Sequence, residues 1–145
     1  MEVKFRIATA ADLEDIIKLT NECFDEQTPL SHARKIWRRT EHDPNQIYVN
    51  GYLNDQLVAH TKITIVPTIY EDMNTFAILN HVCVRPDMRR HHLGTQLLDE
   101  VFRICRKCNV KTVELWSKNF RAPAHAMYQR YGFEVVDAKF FAKDV

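Results

Sequence analysis

The densest chemistry in the sequence lies between Val82 and Leu98, where Arg85, Arg89, Arg90, His91 and His92 surround a turn that runs into Leu93-Gly94-Thr95. An apolar run, Val82-Cys83-Val84, enters this turn, and an amphipathic stretch leaves it. A helix start presents N–H groups without intrahelical acceptors and a partial positive charge, which suits a phosphate. Arginine adds formal charge and can bind phosphate oxygens with two parallel hydrogen bonds. Gly94 carries no side chain where a ligand would have to approach the backbone. The residues are equipped to hold a pyrophosphate, although a surface turn whose arginines solvate a helix start has the same composition. The glycine-lysine-serine/threonine ending of a nucleotide-triphosphate loop is absent, as are the three spaced glycines of a dinucleotide fold.

The elements that must position this turn follow from periodicity. Val3, Phe5 and Ile7 alternate with charged residues as a half-buried strand. Thr9 and Asp12 form a capping-box variant ahead of a helix whose apolar face is Leu13, Ile16, Ile17, Thr20 and Phe24. Ser31 to Thr40 reads as a second helix, with Arg34-Lys35 and Arg38-Arg39 on its solvated face. Gln46–Leu53 and Gln56–Val66, joined by Asn54-Asp55, predict a hairpin. Thr75–Val84 is a further strand, and Leu93, Leu97, Val101, Ile104, Cys105 and Cys108 trace a helical stripe. Lys111–Trp116 reads as a strand, Pro123–Tyr131 as a helix ended by Gly132, and Phe133–Ala142 as two final strands. A meander followed by strand–helix–strand units predicts an α/β (α+β) domain over residues 1–145.

The 145 residues match the size of one domain. Charge is balanced, 20 basic against 19 acidic residues for a net +1, which argues against a general nucleic-acid binder. No apolar run is long enough for a bilayer, and the N-terminus lacks a signal-peptide core, so a cytoplasmic protein is expected. Four cysteines placed in apolar patterns suit a reducing compartment. Cys105 and Cys108 have C-x-x-C spacing, but both continue a helical stripe and no second ligand pair accompanies them; buried thiols and no metal site are expected.

The segment Arg89-Arg90-His91-His92-Leu93-Gly94 resembles the signature of the GNAT superfamily of acetyl-CoA-dependent N-acetyltransferases: arginine or glutamine, two residues, glycine, one residue, then glycine or alanine. Arg121 to Glu134, with Tyr128 and Gly132-Phe133 in register, is similar to the family's second segment. The N-terminal Phe5 to Leu13 also looks like the family's opening. His92 stands where the family usually has its first glycine. Histidine enters the left-handed region less freely than glycine, so the turn either binds coenzyme more weakly or gains two imidazoles, His91 and His92, for phosphate oxygens.

The resemblance implies a mixed, mostly antiparallel central sheet with a splayed parallel strand pair and flanking helices. It implies acetyl-CoA held by Val82, Cys83 and Val84 along the splayed strand and by Arg89, Arg90, His91, His92, Leu93, Gly94 and Thr95 at the turn. It makes Tyr128 the proton donor to the leaving thiolate, a role suited to a group that stays protonated at neutral pH. Where many members carry a glutamate base, alignment places Asn80, which cannot accept a proton. His81, Glu114 and His125 are further candidates for that role, and solvent is another. Glu114, Trp116 and His125 are candidate acceptor-site residues, and Glu71 and Asp72 would attract a cationic amine. The acceptor is expected to be a small-molecule or protein amine, and a homodimer through C-terminal strands would use Phe133, Phe140 and Phe141. A coenzyme-A-binding regulatory module with weak or absent catalysis is the rival reading, and a tRNA-acetylating toxin a more distant one.

Overall fold

The structure, a computed structural model, describes residues 2–70 and 74–145; Glu71 and Asp72 lie outside the described residues. The chain runs through β1 (Lys4–Ile7), α1 (Leu13–Phe24), α2 (Leu30–Thr40), β2 (Gln46–Leu53), β3 (Gln56–Val66), β4 (Phe76–Val84), α3 (Leu93–Lys107), β5 (Thr112–Leu115) and α4 (Ala122–Tyr131). The sheet has the order β1-β2-β3-β4-β5. The first three pairings are antiparallel, and β4 with β5 is parallel.

Side-chain parity divides the molecule into two layers. Val49, Ile63, Ile65, Ala77 and Leu79 pack against Leu97, Leu98, Val101 and Ile104 of α3 and against Tyr128 of α4. On the other face, Ile16 and Leu19 of α1 pack against Leu57 and Cys83, beside Tyr48 and Tyr52. Alternation along each strand thus buries both faces, one under each helical layer.

The hairpin between β2 and β3 closes through Asn54 (φ 50) and Asp55 (φ 63), residue types that tolerate the left-handed region a two-residue turn requires. Asp12 fixes the start of α1. Its carboxylate accepts two bonds from Arg6 at 2.8 Å, the Thr9 N–H at 2.8 Å and the Tyr52 hydroxyl at 3.0 Å. The Arg6 guanidinium holds this carboxyl well below the usual carboxylate range.

Two expectations need correction. Residues 133–145 contain no strand. After the bonds that end α4, the tail's one backbone hydrogen bond among the described residues runs from the Ala138 N–H to the Val136 C=O, 3.0 Å. A strand exists by pairing, and among the described residues nothing pairs with this segment. Cys105 is buried as expected, but Cys108 follows the last turn of α3 and is exposed. Among the described residues no cluster of His, Cys, Asp or Glu could hold a metal ion.

Candidate active site

The parallel pairing of β4 with β5 covers only Phe76–Leu79 against Thr112–Leu115. From Asn80 to Val84, β4 keeps its partner β3, and among the described residues no strand pairs with it on the β5 side. Pro86–Met88 then forms a single 3-10 turn, and His92 caps α3 in the left-handed conformation, φ 62 and ψ 21. Histidine therefore makes the turn that glycine usually makes. The first capping bond is Gln96 N–H to His92 C=O, 3.1 Å, so the N–H groups of Leu93, Gly94 and Thr95 have no intrahelical acceptor. The buried Leu93 anchors the turn against Val3 and Val58.

The arginines of this turn are not equivalent. Arg85 is spent on Asp87, at 2.6 and 3.2 Å, and on Gln56 at 3.2 Å. Arg89 folds back, its Nε donating to the Val84 C=O at 3.2 Å. Among the described residues Arg90, His91 and His92 make no side-chain hydrogen bond, and all are exposed. A Cβ at Gly94 would sit 2.5 Å from Met127 Sδ, so a side chain there would require the flexible end of Met127 on α4 to move aside. Free N–H groups, an unpaired arginine and an open strand edge, contiguous along one path, fit a pyrophosphate joined to an amide-bearing chain.

Tyr128 lies in the core beside this path, 9% exposed and 5.7 Å from the Phe133 ring. Burial pushes its phenol up to about 12, and its hydroxyl makes no hydrogen bond among the described residues. Gly132 (φ 117) closes α4, and the N–H groups of Gly132 and Phe133 both bond the Tyr128 carbonyl. The Tyr128 backbone is thereby fixed while its hydroxyl stays available. The Cys83 thiol, beside Cys23 and buried, is held well above the usual thiol range and donates to the His60 carbonyl. It is a packing residue.

A second feature opens on the α1–α2 side of the same strand segment. A cleft of about 280 Å³ is lined by α1, α2 and the sheet, with Asn80 and His81 at its edge. Consecutive strand residues normally point to opposite faces. Here His60 pairs with Cys83 and Lys62 with Asn80, so His81 and Val82 together oppose Thr61: a bulge, with His81 at φ 53. The bulge turns both Asn80 and His81 toward the cleft. His81 Nε2 lies 2.8 Å from Glu26 Oε1, and its ring packs edge-on against Phe24. His60, behind them, is buried and its pKa falls to about 3, so it is neutral, with Nδ1 2.7 Å from Asn50 Oδ1.

Asn80, at the position expected of the base, lines this cleft, whereas the expected acceptor residues Glu114, Trp116 and His125 do not. Glu114 is exposed on β5; Trp116 is 60% exposed beside Phe140, and His125 Nε2 lies 3.0 Å from Ser117 Oγ. Reading the sequence alone missed Glu26, Lys62, Tyr48 and Trp37 as cleft residues. They come from four different elements or links and share no local pattern. Val82 and Val84 lie half-buried on the α3 side, where they pack against the core.

The Acetyltransferase (GNAT) family profile matches residues 13–133, a span that includes the turn, the open strand and Tyr128. The chain belongs to this family. Solved structures share the fold of this GNAT chain. A transcriptional regulator from Bacillus halodurans superposes with a TM-score of 0.88 at 18% identity, covering 99% of this chain and 100% of that one. An aminoglycoside antibiotic 6′-N-acetyltransferase from Acinetobacter baumannii gives 0.80 at 18% identity, covering 99% of both chains. A predicted acetyltransferase from Clostridium acetobutylicum, solved with acetyl-CoA, gives 0.79 at 15% identity and covers 98% of this chain and 96% of that one. No curated protein matches the GNAT chain in sequence. Among the described residues no helix is long and apolar enough to cross a membrane.

Proposed function

We propose that the protein is an acetyl-CoA-dependent N-acetyltransferase that acetylates a primary amine by direct attack. The observation that carries this reading is the open edge of β4 from Asn80 to Val84, which joins the phosphate-ready turn at one end to the cleft at the other. Acetyl-CoA, when bound, supplies an activated acetyl thioester. The turn N–H groups and Arg90 would hold its phosphates, and the open strand edge its amide-bearing arm. An N–H on that edge would polarise the thioester carbonyl, as an oxyanion donor does. The amine then bonds to the carbonyl carbon as the carbon–sulfur bond breaks. Tyr128, kept protonated by burial, gives its proton to the leaving sulfur. His81, oriented by Glu26 in the cleft, is the imidazole best placed to accept the amine proton. His92 in the left-handed conformation favours a working turn over a damaged one.

The test is twofold: calorimetric titration with acetyl-CoA and with dephospho-coenzyme A, then release of free thiol in the presence of an amine panel. Micromolar binding, weakened by loss of the 3′-phosphate, and amine-dependent thiol release are expected. Binding without release for any amine would make the protein a coenzyme-binding module instead. The free cysteines, none paired, fit a reducing cytoplasm as its location.

A second copy of the chain is the partner proposed for the C-terminal tail. β5 is the last strand of the sheet, with its outer edge open, and Val135, Val136 and Phe141 stand 81%, 77% and 85% exposed beyond it. An open edge and an unpaired apolar segment on the same chain complete each other across a two-fold axis. Sedimentation should find a dimer that Phe140→Asp with Phe141→Asp converts to monomer; a monomeric wild-type protein at tens of micromolar overturns it.

A further inference from the structure

The charge pattern of the cleft narrows the acceptor, a step that rests on the acetyltransferase reading above. Tyr48, Lys62 and Asn80 sit directly opposite one another on β2, β3 and β4, forming one row across the cleft floor. Directly opposed residues in an antiparallel pair share a face, with Cβ atoms about 5 Å apart. Lys62 Nζ lies 5.3 Å over the Tyr48 ring, and among the described residues Lys62 makes no ion pair. Among the described residues, the one carboxylate lining the cleft is Glu26, and it is already in contact with His81. His60 is neutral. The opposite wall is mostly apolar, with Leu13, Ile16, Ile17, Ile36 and Trp37, and also carries Thr20, Thr28 and His32.

A polycationic acceptor needs several carboxylates to offset its desolvation, and among the described residues the cleft lining offers one carboxylate beside an ammonium, Lys62, that makes no ion pair. The same row placed next to a simple alkylamine would set two ammonium groups against each other. An acceptor that brings its own negative charge resolves both problems. We propose that the acceptor is a small primary amine carrying a carboxylate and an apolar side chain, its carboxylate on Lys62, its amine at Glu26–His81 and its apolar group against Trp37 and Ile36.

The experiment uses leucine, leucinamide, isopentylamine and spermidine as matched probes, read in two ways. Calorimetric titration into the coenzyme-A-loaded protein reports binding, and thiol release reports turnover. Leucine should bind at least tenfold more tightly than leucinamide, isopentylamine or spermidine, and its kcat/KM should exceed theirs by a similar factor. Lys62→Met should bring the leucine-to-leucinamide ratio close to one, and Lys62→Arg should keep most of it. A ratio near one in the wild-type protein, or spermidine as the best ligand, overturns the proposal. So does a Lys62→Met protein that retains the full ratio. Lys62-dependent leucine binding without any thiol release would uphold the proposed ligand class and overturn the enzymatic reading instead.

Discussion

The turn before α3 and the cleft beside α1 and α2 flank the same stretch of β4, yet they are built on opposite principles. The turn works mainly through backbone: the unengaged N–H groups of residues 93–95, the left-handed His92 and the open edge beyond Leu79. Its charged side chains are largely committed elsewhere, Arg85 to Asp87 and Arg89 to the Val84 carbonyl. The cleft works through side chains. Glu26, Trp37, Tyr48, Lys62, Asn80 and His81 reach it from separate parts of the chain. A backbone site tolerates changes of residue type so long as the chain can take its path, whereas a side-chain site changes its ligand with each substitution. Members of one family can thus keep a coenzyme and exchange acceptors.

Substitutions can break or sharpen this contrast. The largest effect is expected at Tyr128, the side chain proposed to protonate the leaving sulfur. Tyr128→Phe should lower kcat by about 100-fold while calorimetry finds acetyl-CoA affinity little changed. Because burial pushes the phenol up to about 12, no loss of kcat from its ionisation should appear below pH 10 in the wild-type enzyme. An equal loss of affinity and turnover would make Tyr128 a packing residue.

Next is Asp12, which fixes the helix whose Leu13, Ile16 and Ile17 wall the cleft. Asp12→Asn should cost about 2 kcal/mol in urea unfolding, the range for hydrogen bonds to charged groups. The folded-state pKa of Asp12 is depressed, so its contribution is fully present above the ordinary carboxylate value of about 4 and is lost as pH falls below it. The gap between wild type and variant should therefore be constant from pH 5 to 8 and close in acid. A gap that persists unchanged at pH 2 would mean the aspartate acts by shape alone.

Gly94→Asp should weaken acetyl-CoA binding by about tenfold, or 1.4 kcal/mol. It sets a carboxylate at the anion site and drives a Cβ toward Met127. Unchanged affinity would remove the phosphates from this turn. Smallest is Arg90→Ala, an exposed side chain whose loss should cost under about 1 kcal/mol, a few-fold in affinity. A hundredfold loss there would show that the turn, too, is a side-chain site.

The same contrast explains what could be read from residue order. The turn is contiguous, so Arg89 to Thr95 and the strand before them announce their fold. The capping at Thr9 and Asp12, the Asn54-Asp55 hairpin and the Gly132 stop were equally local, and each is present. The cleft was illegible for two reasons. Tyr48, Lys62 and Asn80 meet only through strand register, and the bulge that turns His81 beside Asn80 occurs without a glycine to mark it. Strict alternation would set those neighbours on opposite faces. The final strands differ from expectation because Val135, Val136, Phe140 and Phe141 carry the pattern of a strand but have no strand partner among the described residues.

On the proposed reading, bound coenzyme would also tie the protein's survival to metabolism through the unpaired stretch of β4. An open strand edge is a template for unwanted association, and a bound coenzyme arm would cover it as a missing strand. Ligand at a hundred times its dissociation constant adds about 2.7 kcal/mol to folding stability. A cell rich in acyl-coenzyme would then keep this chain folded and long-lived, while a starved cell would expose it to proteolysis, so that its abundance follows the supply of the group it transfers.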